Sequence, residues 1–201
     1  MRCYKVTMGL IYAALGGIGL TTAVAASDRS AEDLIAALKA GGHVVYIRHA
    51  KTESDYADQV SAILGNCSTQ RVLSEEGWRQ AKTIGAEMRK HAIPIADVFS
   101  SEYCRAWQTA DLAFGRYTTT DALNFEPAEN YSPAQVETMA NNVRPLLVEQ
   151  ETGNRVIVGH DDPFEAVSGI YPEPQGVTFV LKPKVDGTIE VLGSIAPDGW
   201  P

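Results

Sequence analysis

Apolar positions along the chain fall into two alternating patterns. Short continuous apolar runs at His43–Ile47, Asp97–Ser100 and Arg155–Gly159 read as buried strands. Between them lie stretches with helical periodicity and recognisable start signals. Ser30 caps a helix through about Lys39, with Glu32 and Asp33 in its first turn and Gly41-Gly42 ending it. A long polar loop runs from Ala50 to Arg71. Ser74 caps a helix to about His91, with Ala81, Ile84, Gly85 and Met88 along one face. A third helix is expected from about Tyr103 to Phe114, and a further strand near Ala122–Phe125. Pro133 sits in the first turn of a helix to about Glu149, kinked at Pro145. A short helix follows Pro163. Val177–Leu181 and Ile189–Ser194 flank Asp186-Gly187 and read as a hairpin. Alternating β and α elements predict an α/β/α layered domain.

The first 26 residues differ from the rest. Arg2 and Lys5 precede an apolar stretch, Met8 to Ala26, which ends Ala23-Val24-Ala25-Ala26. This is the pattern of a secretory signal peptide, with cleavage expected after Ala25 or Ala26. An uncleaved anchor is the competing reading, but the stretch is barely long enough to span a membrane and is rich in glycine. Residues 27–201 then form one domain in the periplasm or outside the cell, with no stable membrane insertion after cleavage.

At 201 residues, 45% hydrophobic and 21% charged, the composition is that of an ordinary globular protein. Its charge changes the picture more. Loss of Arg2 and Lys5 with the leader takes the formal charge from −8 to −10. An acidic body argues against nucleic acid as partner and makes any phosphate pocket a local positive focus. Cys67 and Cys104 remain in the mature chain. They are either one disulfide, favoured by export and by their mapping near the same strand ends, or two buried thiols.

Each of the three strand-like runs leads to a cation or an imidazole. The first runs into Arg48-His49, the second leads to Arg105, and the third runs into His160. In parallel α/β sheets ligands bind beyond the carboxyl ends of the strands. Parallel pairing therefore brings two arginines and two histidines into one pocket. Guanidinium forks match phosphate oxygens, and an imidazole attacks phosphorus or donates to it. His49 is the expected nucleophile, held neutral by the repulsion of Arg48 and Arg105. Arg105, in the first turn of its helix, adds to that helix's positive end.

The same residues resemble the histidine phosphatase superfamily, also called phosphoglycerate mutase-like. Arg48-His49-Ala50 resembles its Arg-His-Gly signature. Leu73-Ser74-Glu75-Glu76-Gly77 with Gln80-Ala81 is similar to its Leu-Thr-x-x-Gly-x-x-Gln-Ala block. Ser100-Ser101 through Arg105-Ala106 and Thr109-Ala110 resembles its Ser-Ser-x-x-x-Arg-Ala-x-x-Thr-Ala block, and Val158-Gly159-His160 the segment of its second histidine. The blocks appear in family order. The resemblance implies a three-layer α/β/α fold with a central, mostly parallel sheet. It also implies a phosphohistidine intermediate on His49, with Arg48 and Arg105 clamping the phosphoryl group and His160 facing His49.

The leaving-group acid is less plainly written. One branch of the superfamily takes a Glu near the third strand, and Glu129 and Glu126 lie there. The other takes the Asp of a His-Asp pair, which His160-Asp161 resembles. Asp161 ranks first, Glu129 second and Glu126 third, although Asp161 reads equally as a helix N-cap before Pro163. Thr52 matches a substrate-binding position. Two departures stand out: Ala50 for the usual Gly, and Asp55 where Asn is frequent. Asp55 would repel a phosphate unless turned outward. His43 and His91 read as structural or solvated. Tyr171-Pro172-Glu173-Pro174 reads as a rigid turn, with cleft lining as its other reading. No zinc spacing and no Gly-rich nucleotide loop is present, so neither metal nor cofactor is expected. The function implied is an exported phosphomonoesterase acting on a phosphorylated small molecule, with an envelope sugar phosphate as one candidate. The alternatives are a non-catalytic phosphate- or phosphosugar-binding module and a phosphoglycerate-type mutase.

Overall fold

The computed structural model describes residues 29–58, 62–126, 130–148 and 152–201. The leader expected over residues 1–26 and the candidate Glu129 lie outside the described residues.

The element order is α1 (Ala31–Ala40), β1 (Val44–Arg48), α2 (Glu75–Lys90), β2 (Ile95–Ser100), α3 (Cys104–Phe114), β3 (Thr118–Thr119), α4 (Pro133–Val143), β4 (Asn154–Gly159), α5 (Asp161–Ser168), β5 (Thr178–Pro183) and β6 (Ile189–Ile195). The strands form one sheet in the order β3-β2-β4-β1-β5-β6. Pairings β1–β4, β2–β4 and β2–β3 are parallel, whereas β5 and β6 join antiparallel at the other edge.

Every residue of β1 is buried because the sheet is covered on both faces. Alternation sends Val45 and Ile47 to a core shared with Leu34, Leu38, Ile84, Met88, Ala106 and Ala110 of α1, α2 and α3. Val44 and Tyr46 face the opposite core, with Val143 of α4 and Phe164 of α5. This is the three-layer α/β/α arrangement.

Local sequence explains most boundaries. The Ser30 and Ser74 side chains accept from the backbone N–H of Asp33 and Gly77, capping α1 and α2. Ser132 and Gln135 form a capping box at α4. Gly115 and Gly169 close α3 and α5 in the left-handed conformation. Helix α4 ends at Val143 instead of continuing toward Glu149. A 3-10 turn, Arg144–Leu146, replaces it, because Pro145 has no N–H to extend the ladder.

The expected strand at Ala122–Phe125 is absent. Residues Asp121–Leu123 form a 3-10 turn, and the edge strand is the two-residue β3 before it. Leu123 is instead a plug in the α4–α5 core. Helix α5 begins at Asp161, so His160 is its N-cap position and Asp161 its first residue.

Candidate active site

The register of β1 against β4 pairs Arg48 with Gly159, so His49 and His160 leave equivalent ends of adjacent parallel strands. The His49 N–H donates to the Gly159 carbonyl at 2.9 Å, and the Arg48 N–H to Val177 at 3.1 Å, pinning this end of β1 on both sides. The imidazoles meet edge to face, 5.3 Å between centroids. Gly159 is required here for a specific reason. A Cβ at that position would lie 2.3 Å from the Tyr46 hydroxyl, which donates to the His160 carbonyl at 2.8 Å. The close approach that Gly159 permits is that of the Tyr46 ring.

The tautomers follow from the partners. His49 Nδ1 lies 2.9 Å from the Ala50 carbonyl, which can only accept, so Nδ1 carries the proton and Nε2 keeps its lone pair. His160 Nε2 lies 2.9 Å from Ser101 Oγ. That hydroxyl donates to Asn124 Oδ1 at 2.7 Å, and Asn124 is fixed in turn by donating to Glu102 and accepting from the Glu102 N–H. Ser101 therefore has only its lone pair for His160, and Nε2 is the donor. His160 Nδ1 is left buried without a partner.

Burial pushes the His49 pKa down to about 3, with Arg105 the next cause and Arg48 adding to it. His160 is pushed well below the usual histidine range by burial, then by Arg105, His49 and Arg48. Desolvation, more than the guanidinium repulsion expected from the sequence, keeps both rings neutral.

Both arginines are buried, and each is held by a carboxylate. Arg48 Nη2 meets Asp161 Oδ2 at 2.6 Å, and its Nη1 donates to the Pro172 carbonyl at 2.9 Å. Arg105 Nη1 meets Asp58 Oδ1 at 2.9 Å, and its guanidinium stacks on Tyr103 and Phe125. The Nε atoms of both arginines are buried and unpaired. Asp161 also accepts from the Tyr171 hydroxyl at 2.9 Å. Burial acts to raise the Asp161 pKa, but Arg48, Tyr171 and its own backbone N–H outweigh it and hold the carboxyl below the usual range.

Asp161 therefore reaches the pocket, as an ion pair. Thr52 does not join the cluster: its backbone N–H donates to Gln175 Oε1 at 3.0 Å, and the bond fastens the 171–176 segment. Glu126 forms no ion pair with the site arginines. Asp55 is exposed and accepts from the Ser54 hydroxyl. Ala50 has ordinary backbone, since the positive-φ non-glycine among the described residues is Ala92. The Ala50 N–H donates to Thr109 Oγ1, giving the Thr of the Arg-Ala-x-x-Thr-Ala block its place. Gly77 lets the Lys51 carbonyl lie where a Cβ would sit at 1.9 Å.

The structure joins Cys67 to Cys104, with Cα atoms 5.7 Å apart. The bond ties the 51–71 loop to the first residue of α3, beside Arg105. His43 and His91 serve locally, against the Gly41 and Pro201 carbonyls. Sequence reasoning missed Asp58, Arg71 and Ser101, and underrated Tyr171. A cleft of about 630 Å3 lies behind Pro174 and Gln175, lined by Lys51, Gln80 and Asp198 and not by the histidines.

The sequence model of the Histidine phosphatase superfamily (branch 1) matches residues 44–124, covering Arg48, His49 and Arg105. Solved structures share the fold at low identity. A phosphoserine phosphatase from Entamoeba histolytica, solved with 3-phosphoglyceric acid, is 13% identical over 79% of this chain and 99% of its own, with a TM-score of 0.59. A phosphoglycerate mutase from Thermus thermophilus is 20% identical over 77% and 98%, with a TM-score of 0.54. The protein histidine phosphatase SixA, complexed with tungstate, is 14% identical over 77% and 97%, with a TM-score of 0.53. No curated protein sequence matches the chain. The family model and the shared fold agree, and both make the chain similar to the histidine phosphatase superfamily.

Proposed function

We propose that this protein is an exported phosphomonoesterase that hydrolyses a phosphorylated small molecule through a phosphohistidine on His49. One observation carries the reading. The His49 Nδ1–H is committed to Ala50, so the bare Nε2 is the reactive atom, between two buried guanidiniums with unpaired Nε atoms.

The substrate phosphoryl group takes Arg48 and Arg105 from Asp161 and Asp58. His49 Nε2 attacks phosphorus as the ester P–O bond breaks, and the arginines stabilise charge on the equatorial oxygens. His160 takes a proton on Nδ1 once a dianion offsets its desolvation, and donates to a phosphoryl oxygen. Asp161, losing Arg48 and gaining an anionic neighbour, rises in pKa and protonates the leaving oxygen. Water then attacks phosphorus, the N–P bond breaks, and the water proton passes to Asp161. The products are the alcohol and inorganic phosphate. Export rests on the leader sequence, and the Cys67–Cys104 bond suits an oxidising compartment. An envelope sugar phosphate is one substrate of the right chemistry and address.

The test is turnover of p-nitrophenyl phosphate and of an alkyl phosphate. Wild type should form an acid-labile phosphoramidate on His49, and His49→Ala should be inactive. Asp161→Asn should lose far more on the alkyl ester than on the activated one, whereas Glu126→Gln and Glu129→Gln should not. Wild-type turnover by His49→Ala would end the proposal. Tight phosphate binding with no turnover would favour the binding-module reading.

A further inference from the structure

A further arginine, Arg71, stands beside the Asp58–Arg105 pair. Arg71 ends the 51–71 loop, and its backbone N–H donates to Asp58 Oδ1 at 2.7 Å. That same oxygen binds Arg105 Nη1 at 2.9 Å, so one carboxylate atom joins the Arg71 backbone to the Arg105 fork. The loop is fixed there twice more. Cys67 is bonded to Cys104, and the Cys104 N–H donates to Gln70 Oε1 at 2.8 Å. The Arg71 Nε is buried with no partner. Among the described residues no carboxylate pairs with the Arg71 guanidinium, whereas Arg48 has Asp161 and, at 4.0 Å, Glu173, and Arg105 has Asp58. The Arg71 charge reaches both Arg105 and His160, where it acts after the nearer groups.

A buried N–H without a partner is costly, and a cation placed among cations more so. Three ties, from Asp58, Gln70 and Cys67, hold the backbone that carries it beside Arg105. An anion that filled only the Arg48–Arg105 clamp would leave it unmet.

We propose that Arg71 is a specificity-determining residue that binds a second anionic group on the substrate, a carboxylate or a further phosphate close to the ester being cleaved. The inference rests on the phosphomonoesterase reading above and narrows its substrate class. An ester with no charge beyond its phosphoryl group, such as a simple alkyl phosphate, uses two guanidiniums, and one with a second anionic group uses three.

Three small esters test this: ethyl phosphate, phosphoglycolate with its carboxylate, and ethylene glycol bisphosphate with its second phosphate. Wild type should favour at least one of the last two over ethyl phosphate by roughly tenfold or more in kcat/KM, the range of one charge-assisted hydrogen bond. Which of the two is preferred identifies the second group. Arg71→Gln should erase that preference while changing ethyl phosphate turnover by less than about threefold, and Arg71→Lys should restore part of it, since it keeps charge without the fork. Retained ethyl phosphate turnover shows that the variant is folded. An equal loss on all three esters, or no preference in wild type, overturns the proposal. If wild type hydrolyses none of them, calorimetry with inorganic phosphate and pyrophosphate separates the two readings. Tighter pyrophosphate binding that disappears in Arg71→Gln keeps the second subsite and discards the hydrolase. Equal binding of both anions discards the subsite.

Discussion

Mild acid should unfold this protein while most of its carboxylates are still charged. His49 and His160 are both buried, neutral and held far below ordinary histidine behaviour, His49 at about 3 against 6.5 for a free ring. For such a group the unfolded chain binds the proton first. Stability is full above the unfolded pKa and falls as pH drops through the window from about 6.5 toward 3. At pH 5 His49 alone costs about 2 kcal/mol, with a slope near 1.4 kcal/mol per pH unit, and His160 acts in the same direction. That is a sizeable share of the 5–15 kcal/mol typical of a domain. Asp161, also held low, adds to the loss only nearer its own unfolded value, at more acid pH. The assay is urea unfolding between pH 7.5 and 4.5. The comparison is the double variant His49→Asn, His160→Gln, which keeps a donor toward Ala50 and toward Ser101 and removes both titrating rings. Wild type should lose stability steadily as pH falls, by at least the share set by His49, and the variant should be nearly flat. A flat wild-type profile, or an equal slope in the variant, would refute the argument that desolvation holds these rings neutral.

Two further outcomes follow from the arginines. Arg48→Ala and Arg105→Ala should each lower kcat by roughly 10²-fold or more, with Lys restoring only part, and full restoration would mean that charge alone suffices. Asp58→Asn should lower the inhibition constant of inorganic phosphate several-fold, because the anion no longer displaces a carboxylate from Arg105; an unchanged or higher constant would mean that Asp58 stays in place when phosphate binds.

The sheet was legible because its inner strands are buried on both faces and so read as unbroken apolar runs. The helix starts were legible from Ser30 and Ser74, whose side chains do the capping, and from Pro133 in the first turn of α4. The edge strand was not, since Thr118–Thr119 is two exposed residues with no pattern, while the apolar Leu123 nearby packs as a plug. Arg48, His49, Arg105 and His160 were readable because strand ends in a parallel sheet converge. Asp58 and Arg71 were not, because a long loop carries no periodicity to say where its side chains point. Their only signal was the cysteine pair, Cys67 on that loop and Cys104 beside Arg105. Tyr171 looked like part of a turn, and it is: the turn folds back so that Pro172 and Tyr171 meet Arg48 and Asp161.

That cysteine pair has a consequence for selectivity. Cys104 directly precedes Arg105, which helix α3 holds through its own packing against the sheet. Cys67 lies four residues before Arg71, on a loop with little core of its own. On that proposal, the bond acts as a spacer between two guanidiniums, one for the group being transferred and one for the group that marks the substrate. Cutting it leaves the hydrogen bonds of Gln70 and Asp58 to carry the spacing alone. The distance between the two charges would then be held less firmly. In a reducing environment the protein would broaden its choice of ester, so the redox state of the compartment would be read out as substrate range.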